Sequence, residues 1–268
     1  MKLNGKEKAR FIYVQLTFLI TFLLIGNSLH PIQKNNISRI VIKRVEPVGS
    51  IVIDPGHGGS DYGSIGSSGI KEKDINLSIA RKLKFIIEER MGIKISLTRD
   101  EDTEMTIDER VSFANNLRAS LFISIHTNFS FLKNENGPYC YYFNPSSTYE
   151  DSRYLAGSDK ILEKGKAFGN EDISFIPWNV AQIMHLGRSK YLSELVQKEL
   201  NFLFEIPERN PKAAPFKILN GTNMPAMVIE MIYLSNQEDE KKIMDLNFHY
   251  SISSSIYKGI SQFLKENF

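Results

Sequence analysis

The sequence predicts an α/β fold: a single domain with a twisted, mostly parallel or mixed sheet flanked by helices on both faces. Three observations carry this prediction. Short apolar runs of strand length alternate with longer segments of helical period, which is the pattern of a sheet covered on both faces. "SIVIDPG" opens on a continuous apolar run, as a strand buried on both faces requires, and "LFISIHTN" reads as a second strand. Both runs lead into a histidine, and open α/β sheets collect their sites where strands end.

The elements follow in order. Residues 1–10 carry Lys2, Lys6, Lys8 and Arg10 against Glu7, so the chain's formal +2 leaves the remainder slightly acidic. The uncharged stretch "FIYVQLTFLITFLLIG" follows at 11–26. A basic head before an apolar stretch is the plan of an export signal, and the basic flank stays on the cytoplasmic side. Residues 1–28 are therefore expected to be an export signal or membrane anchor, and 29–48 a linker with an edge strand in "ISRIVIKRV". Residues 49–268 are expected to form the main domain. Its first buried strand is "SIVIDPG". "INLSIARKLKFIIEER" places Ile75, Ile79, Leu83 and Ile86 on one helix face. "GIKISLTRD" reads as a strand. Thr106 and Glu109 form a capping box ahead of a helix with Ile107, Val111 and Ala114 inward. "LFISIHTN" is a strand, and "GPYCYYF" is β-prone. Residues 144–178 are rich in Ser, Gly, Asp, Glu and Lys and break the rhythm. "SKYLSELVQKELNFLF" is an amphipathic helix through Leu192, Leu195, Val196, Leu200 and Leu203. "PFKIL" and "PAMVIEMIYL" read as two strands, and "NQEDEKKIMDL" and "YSISSSIYKGISQFLKENF" as closing helices.

Composition excludes several classes. With 42% hydrophobic residues the chain is not a disordered one. No concentrated basic face marks a nucleic-acid binder. The single cysteine, Cys140, permits neither an intrachain disulfide nor a cysteine-rich zinc site.

Of the five histidines, His57 and His126 stand at strand ends, the first among glycines that let backbone pass close to an ion or substrate. A catalytic zinc site commonly joins two or three histidines with a carboxylate and keeps one position open. Glu72, at the start of the first long helix, offers the carboxylate; favourable charge at a helix N-terminus explains it equally. Glu230 lies in "MPAMVIEMIYLSN", where a carboxylate among apolar residues needs a partner and is placed to act as a general base. His185 and His249 read as packed or surface residues.

"IDPGHGG", "KEKDINLSIA", "SIHTN" and "PAMVIEMIYLSN", in that order, closely resemble the zinc-dependent N-acetylmuramoyl-L-alanine amidases, over about residues 50–266. The resemblance implies that His57, Glu72 and His126 bind one Zn²⁺ and that Glu230 is the catalytic carboxylate. It implies cleavage of the amide between the lactyl group of muramic acid and the first L-alanine of the peptidoglycan stem, in wall remodelling or daughter-cell separation. Asn76, Arg99 and Asn128 also match family positions. Arg99 reads as a structural ion-pair former, and Asn128 either orients a ligand or caps a turn. Thr127 stands where the family has alanine, Ile232 where it prefers glycine and Tyr233 where it prefers phenylalanine. The branched Ile232 is expected to narrow the space behind Glu230.

The stretch 144–186 resembles the insertion of cell-division amidases, in which a helix covers the zinc cleft until an activator displaces it. That reading makes Ile176, Trp178, Val180, Ile183 and Met184 the face for an activator protein, with Glu163 or Glu171 blocking the metal. A solvated loop with a short packed helix fits the same residues. The expected partner is peptidoglycan, in the periplasm or cell envelope, with membrane contact through the N-terminal segment alone. Two other functions fit the residues: another exported zinc amidohydrolase or peptidase, and a non-catalytic wall-binding regulator.

Overall fold

Six strands form one mixed sheet in the order β2-β1-β3-β6-β4-β5. The computed structural model describes residues 48–132, 134–144 and 176–268, with side chains from Met184 onward in the last span. The strands are β1 (Ile51–Pro55), β2 (Ile95–Leu97), β3 (Leu121–Asn128), β4 (Tyr139–Tyr142), β5 (Lys212–Ala213) and β6 (Ala226–Tyr233). Helices α1 (Glu72–Met91), α2 (Ile107–Asn116), α3 (Ile176–Phe204), α4 (Lys217–Asn220), α5 (Gln237–Ile243) and α6 (Leu246–Asn267) connect and follow them. β2, β1, β3 and β6 run parallel; β4 is antiparallel to β6 and carries β5 parallel at the edge.

Alternation along the strands splits the core in two. Ile51, Ile53, Ile123, Ile125, Met227 and Ile229 face α1, α3 and α6, which contribute Ile79, Leu83, Leu192, Val196, Ile256 and Ile260. Val52, Phe122, Tyr141, Ala226 and Val228 face the other way, against Ala114 of α2 and Phe216, Ile218 and Leu219 around α4. Each large aliphatic side chain so buried contributes about 1.5–3 kcal/mol. Cys140 lies in the first cluster, where burial pushes its thiol up and keeps it out of metal chemistry.

Local chemistry sets the helix ends. Gly92 takes a left-handed φ of 65° and its N–H reaches the Glu88 carbonyl, which ends α1. The capping box of Thr106 and Glu109 is complete at α2. Asn236 and Asp245 accept N–H groups at the starts of α5 and α6.

Three sequence expectations change. "PFKIL" is a helical turn, not a strand, because Phe216, Ile218 and Leu219 bury together when the chain coils over the sheet. The preceding Lys212–Ala213 supplies the edge strand instead. The helix expected from 189 starts at Ile176 and runs unbroken to Phe204, so the last part of the 144–186 insertion is continuous with it. Residues 145–175, with Glu163 and Glu171, lie outside the described residues, as do the side chains of Ile176, Trp178, Val180 and Ile183. The expected signal at 1–28 and the strand at 37–45 lie outside them too. Among the described residues no helix is long and apolar enough to cross a membrane.

Candidate active site

β1 delivers the chain to Gly56 at the carboxyl end of the parallel strands. A Cβ on Gly56 would lie 2.0 Å from Cε1 of His126, so only glycine lets the His126 ring pass. His57 follows with a φ of 61°, a left-handed conformation that is unfavourable for a residue with a side chain and persists only when its surroundings impose it. Here two arginines impose it. Arg110 donates to the carbonyls of Pro55 (2.9 Å), His57 (2.8 Å) and Met105 (3.1 Å). Arg99 donates to the carbonyls of Pro55 (3.0 Å), Gly56 (2.9 Å), Lys73 (2.9 Å) and Glu101 (3.1 Å). Burial, with Arg110 close by, pulls the Arg99 guanidinium down to about 10, so it stays charged at neutral pH.

Beneath this clamp lies Asp54, 1% exposed, with Arg110 at 2.7 Å. Thr98 donates to the same oxygen at 2.6 Å and Ser124 to the other at 2.7 Å. Burial alone would raise the Asp54 carboxyl, but Arg110 and the Thr98 hydroxyl hold it below the usual carboxylate range. Arg99 was expected to form an ion pair. Among the described residues Arg110 takes that part, and Arg99 binds carbonyls.

Three side chains from three elements then meet. His57 Nε2 lies 3.1 Å from Glu72 Oε1, and His126 Nδ1 lies 2.9 Å from the same oxygen. One donor atom from each of His57, Glu72 and His126 falls within a 4.8 Å cluster. The Thr127 N–H (3.1 Å) and the Asn76 amide (3.4 Å) also reach Oε1, while the Ser64 N–H reaches Oε2 at 2.8 Å. Glu72 is thus 1% exposed at the first turn of α1, turned inward and not toward solvent as a helix-end charge alone would be. Two imidazole nitrogens and a carboxylate oxygen are the donor set of a catalytic zinc site, and their convergence fits a single ion.

Asp61 completes the arrangement. Its Oδ2 lies 2.7 Å from His57 Nδ1, the carboxylate–histidine contact that fixes ring orientation at metal sites. Partial burial opposes ionisation of Asp61, but the His57 contacts hold its carboxyl low. The loop is pinned elsewhere by Lys73, which donates to Gly59 O (2.8 Å) and Asp102 (2.6 Å). Glu240 of α5 ties it again, accepting the Ser68 N–H at 2.7 Å.

Glu230 lies on β6, 3% exposed, in register with His126 on β3 and with Tyr139 on β4. Register partners share a sheet face, so Glu230 stands beside His126 on the side of Val228 and Tyr141. Past this point the β3–β6 register slips: Asn128 pairs with Tyr233, which leaves one extra residue on β6. That bulge carries Ile232 into the helix-side core beside Met231, so it does not narrow the space behind Glu230. Asn128 Oδ1 accepts the Phe129 N–H at 2.8 Å. His249 is packed between Ser78 and the Ile243 carbonyl, and His185 is half-buried on α3.

Asp54, Asp61 and Arg110 were missed by the sequence reading. Asp54 ends an apolar strand and so needed a buried cation. Arg110 lies three residues after Ile107 and four before Ala114, on the inward face; Ile107 and Val111 pack against the same core, both half-buried. A cleft opens beside the histidines, lined on one wall by Met105, Ile107, Phe216, Ile218 and Val228.

Comparisons agree with this geometry. Residues 51–262 match the family model described as N-acetylmuramoyl-L-alanine amidase. N-acetylmuramoyl-L-alanine amidase AmiC of Escherichia coli O6:H1 is 29% identical over 221 residues, 81% of this chain and 53% of AmiC. The chain thus spans about half the length of that relative. The crystal structure of an N-acetylmuramoyl-L-alanine amidase from Clostridium difficile 630 superposes with a TM-score of 0.65 at 25% identity, covering 83% of this chain and 100% of that one. The CwlD amidase of Clostridioides difficile, solved in complex with the GerS lipoprotein, gives 0.57 at 26% identity, over 81% of this chain and 99% of that one.

Proposed function

The chain belongs to the N-acetylmuramoyl-L-alanine amidase family, and on that premise we propose that it hydrolyses the amide between N-acetylmuramic acid and L-alanine in peptidoglycan, with one zinc ion held by His57, Glu72 and His126. The observation that carries the reading is the meeting of those three donors within 4.8 Å from a loop, a helix and a strand far apart in sequence. When bound, zinc supplies a Lewis acid that polarises the amide carbonyl and lowers the pKa of water to about 7.

The protein's own residues do the rest. Glu230 takes the proton from the attacking water and returns it to the departing alanine nitrogen, as a general base and then a general acid. Its burial on β6 beside His126 supports that role. Asp61 keeps the His57 ring turned so that Nδ1 faces the carboxylate and Nε2 faces Glu72. The apolar wall of Met105, Ile107, Phe216 and Ile218 limits water on one side of the cleft.

The proposal extends to the whole chain. Residues 1–28 direct export to the periplasm or envelope or anchor the protein there, 29–48 link, and 49–268 hold the site. An activator protein acts at the 144–186 insertion; the support is the resemblance to inserted cell-division amidases and the solved complex of CwlD with a lipoprotein.

Mass analysis of muropeptides released by the purified protein tests the function. Free stem peptides beginning with alanine are expected, and a chelator should stop their release. Cleavage inside the peptide would instead favour a zinc peptidase. Glu230→Gln should keep the zinc stoichiometry while turnover falls roughly 10²–10⁴-fold.

A further inference from the structure

Resting on the amidase reading above, we propose that Arg209 and Lys212, gathered over the ring of Tyr139, form a subsite for the C-terminal carboxylate of the substrate's peptide arm. One row of register partners crosses the sheet from His126 on β3 to Glu230 on β6 and Tyr139 on β4. Lys212 on β5 pairs with Tyr141, so it shares that face. Its Nζ lies 3.8 Å from the Tyr139 ring centroid, and the Arg209 guanidinium carbon lies 4.8 Å from it. Arg209 is fixed by two hydrogen bonds to Asn136, at 2.7 Å to the carbonyl and 3.2 Å to Oδ1. A guanidinium carries five N–H groups, so donors remain for a carboxylate.

Two observations favour an anion here. Both cations are drawn to one aromatic ring, where a negative group between them would relieve their mutual repulsion. Among the described residues, neither appears in a salt bridge. The nearby Asp239 carboxylate is buried and accepts the N–H groups of Gly137 (2.8 Å) and Tyr233 (3.0 Å).

Spacing selects the ligand. From β3 to β4, over whose Tyr139 ring the cations sit, is two strand intervals, about 9–10 Å, and to β5 three, about 14 Å; an extended peptide covers about 3.3 Å per residue. A scissile amide beside His126 and Glu230 therefore brings the end of a peptide of roughly three to four residues to the cation pair. An uncross-linked peptide ends there in a carboxylate; a cross-linked one carries a neutral amide. The subsite makes the enzyme prefer the first.

The zinc-loaded full chain is assayed on N-acetylmuramoyl-tetrapeptide with a free C-terminal carboxylate and on its C-terminal carboxamide. The carboxylate is expected to win by roughly tenfold in kcat/KM, the scale of one charge-assisted contact at a half-exposed site, with the difference in KM. In Arg209→Gln/Lys212→Gln the preference should vanish, the acid's KM rising to that of the carboxamide. The preference should also fall as salt rises from low to high, because exposed charges are screened. The salt series on the wild type, and the exposed single change Lys212→Gln, serve if the double variant folds poorly. Equal cleavage of both substrates by the wild type, or a preference that survives the substitutions, overturns the subsite alone. Cleavage of neither overturns the amidase reading and the subsite with it.

Discussion

Replacing Arg110 with methionine keeps much of the side chain's bulk and removes its charge. Arg110 is 4% exposed and Asp54 beneath it 1%, so the carboxylate is left where water cannot replace its partner. The variant also strips a donor from the carbonyls of Pro55, His57 and Met105. Breaking a buried pair by removing one member costs about 3–5 kcal/mol. For a domain of this size each kcal/mol moves Tm by roughly 2–4 °C, so a fall of about 6–20 °C is expected at pH 7. The pH dependence carries the sign. In the wild type the Asp54 pKa is depressed in the folded state, so its contribution is present above the unfolded value and is lost as pH falls through the folded one. In Arg110→Met the largest charge opposing burial is gone, so burial raises the Asp54 carboxyl, and the deficit shrinks as pH falls toward the unfolded value of about 4. Thermal unfolding followed by circular dichroism at pH 7 and pH 5 measures both effects. A Tm loss below about 2 °C at pH 7, or one equally large at both pH values, would refute the reasoning. Asp54→Asn added to Arg110→Met should recover part of the loss.

Gly56→Ala puts a methyl 2.0 Å from His126 Cε1; zinc content measured by atomic emission should fall well below one per chain, and full occupancy would contradict the close approach. Asp61→Asn should weaken zinc binding roughly 10–100-fold in a chelator competition, because the group that orients His57 loses its charge. Thr106→Ala removes the α2 cap and should cost about 0.5–2 kcal/mol in denaturant unfolding, with zinc affinity unchanged.

The fold was legible wherever a segment had one strong period. β1 read as an apolar run, β3 and β6 as largely apolar strands, and α1 as a stripe stepping through Ile75, Ile79, Leu83 and Ile86; all lie where the pattern placed them. "PFKIL" failed because five residues hold too little period to separate a strand from one helical turn. The three side chains that meet, His57, Glu72 and His126, were legible through their motifs. Their support was not: Arg110 looks like any surface arginine on an amphipathic helix, and nothing local says that it reaches Asp54, 56 positions away. The end of the insertion was read apart from the helix expected from 189; one helix, Ile176–Phe204, runs through both.

The position of β6 has a consequence for assembly order. It is the last strand in the chain, yet it sits inside the sheet, with β3 on one side and β4 on the other. β4 and β5 emerge earlier but have no place to dock until β6 slides between them and β3. A nascent or truncated polypeptide ending before Ala226 would thus own His57, Glu72 and His126 while lacking both Glu230 and the seam that joins the two halves of the sheet. Such a chain completes neither the sheet nor the row of register partners until roughly its last sixth has been made.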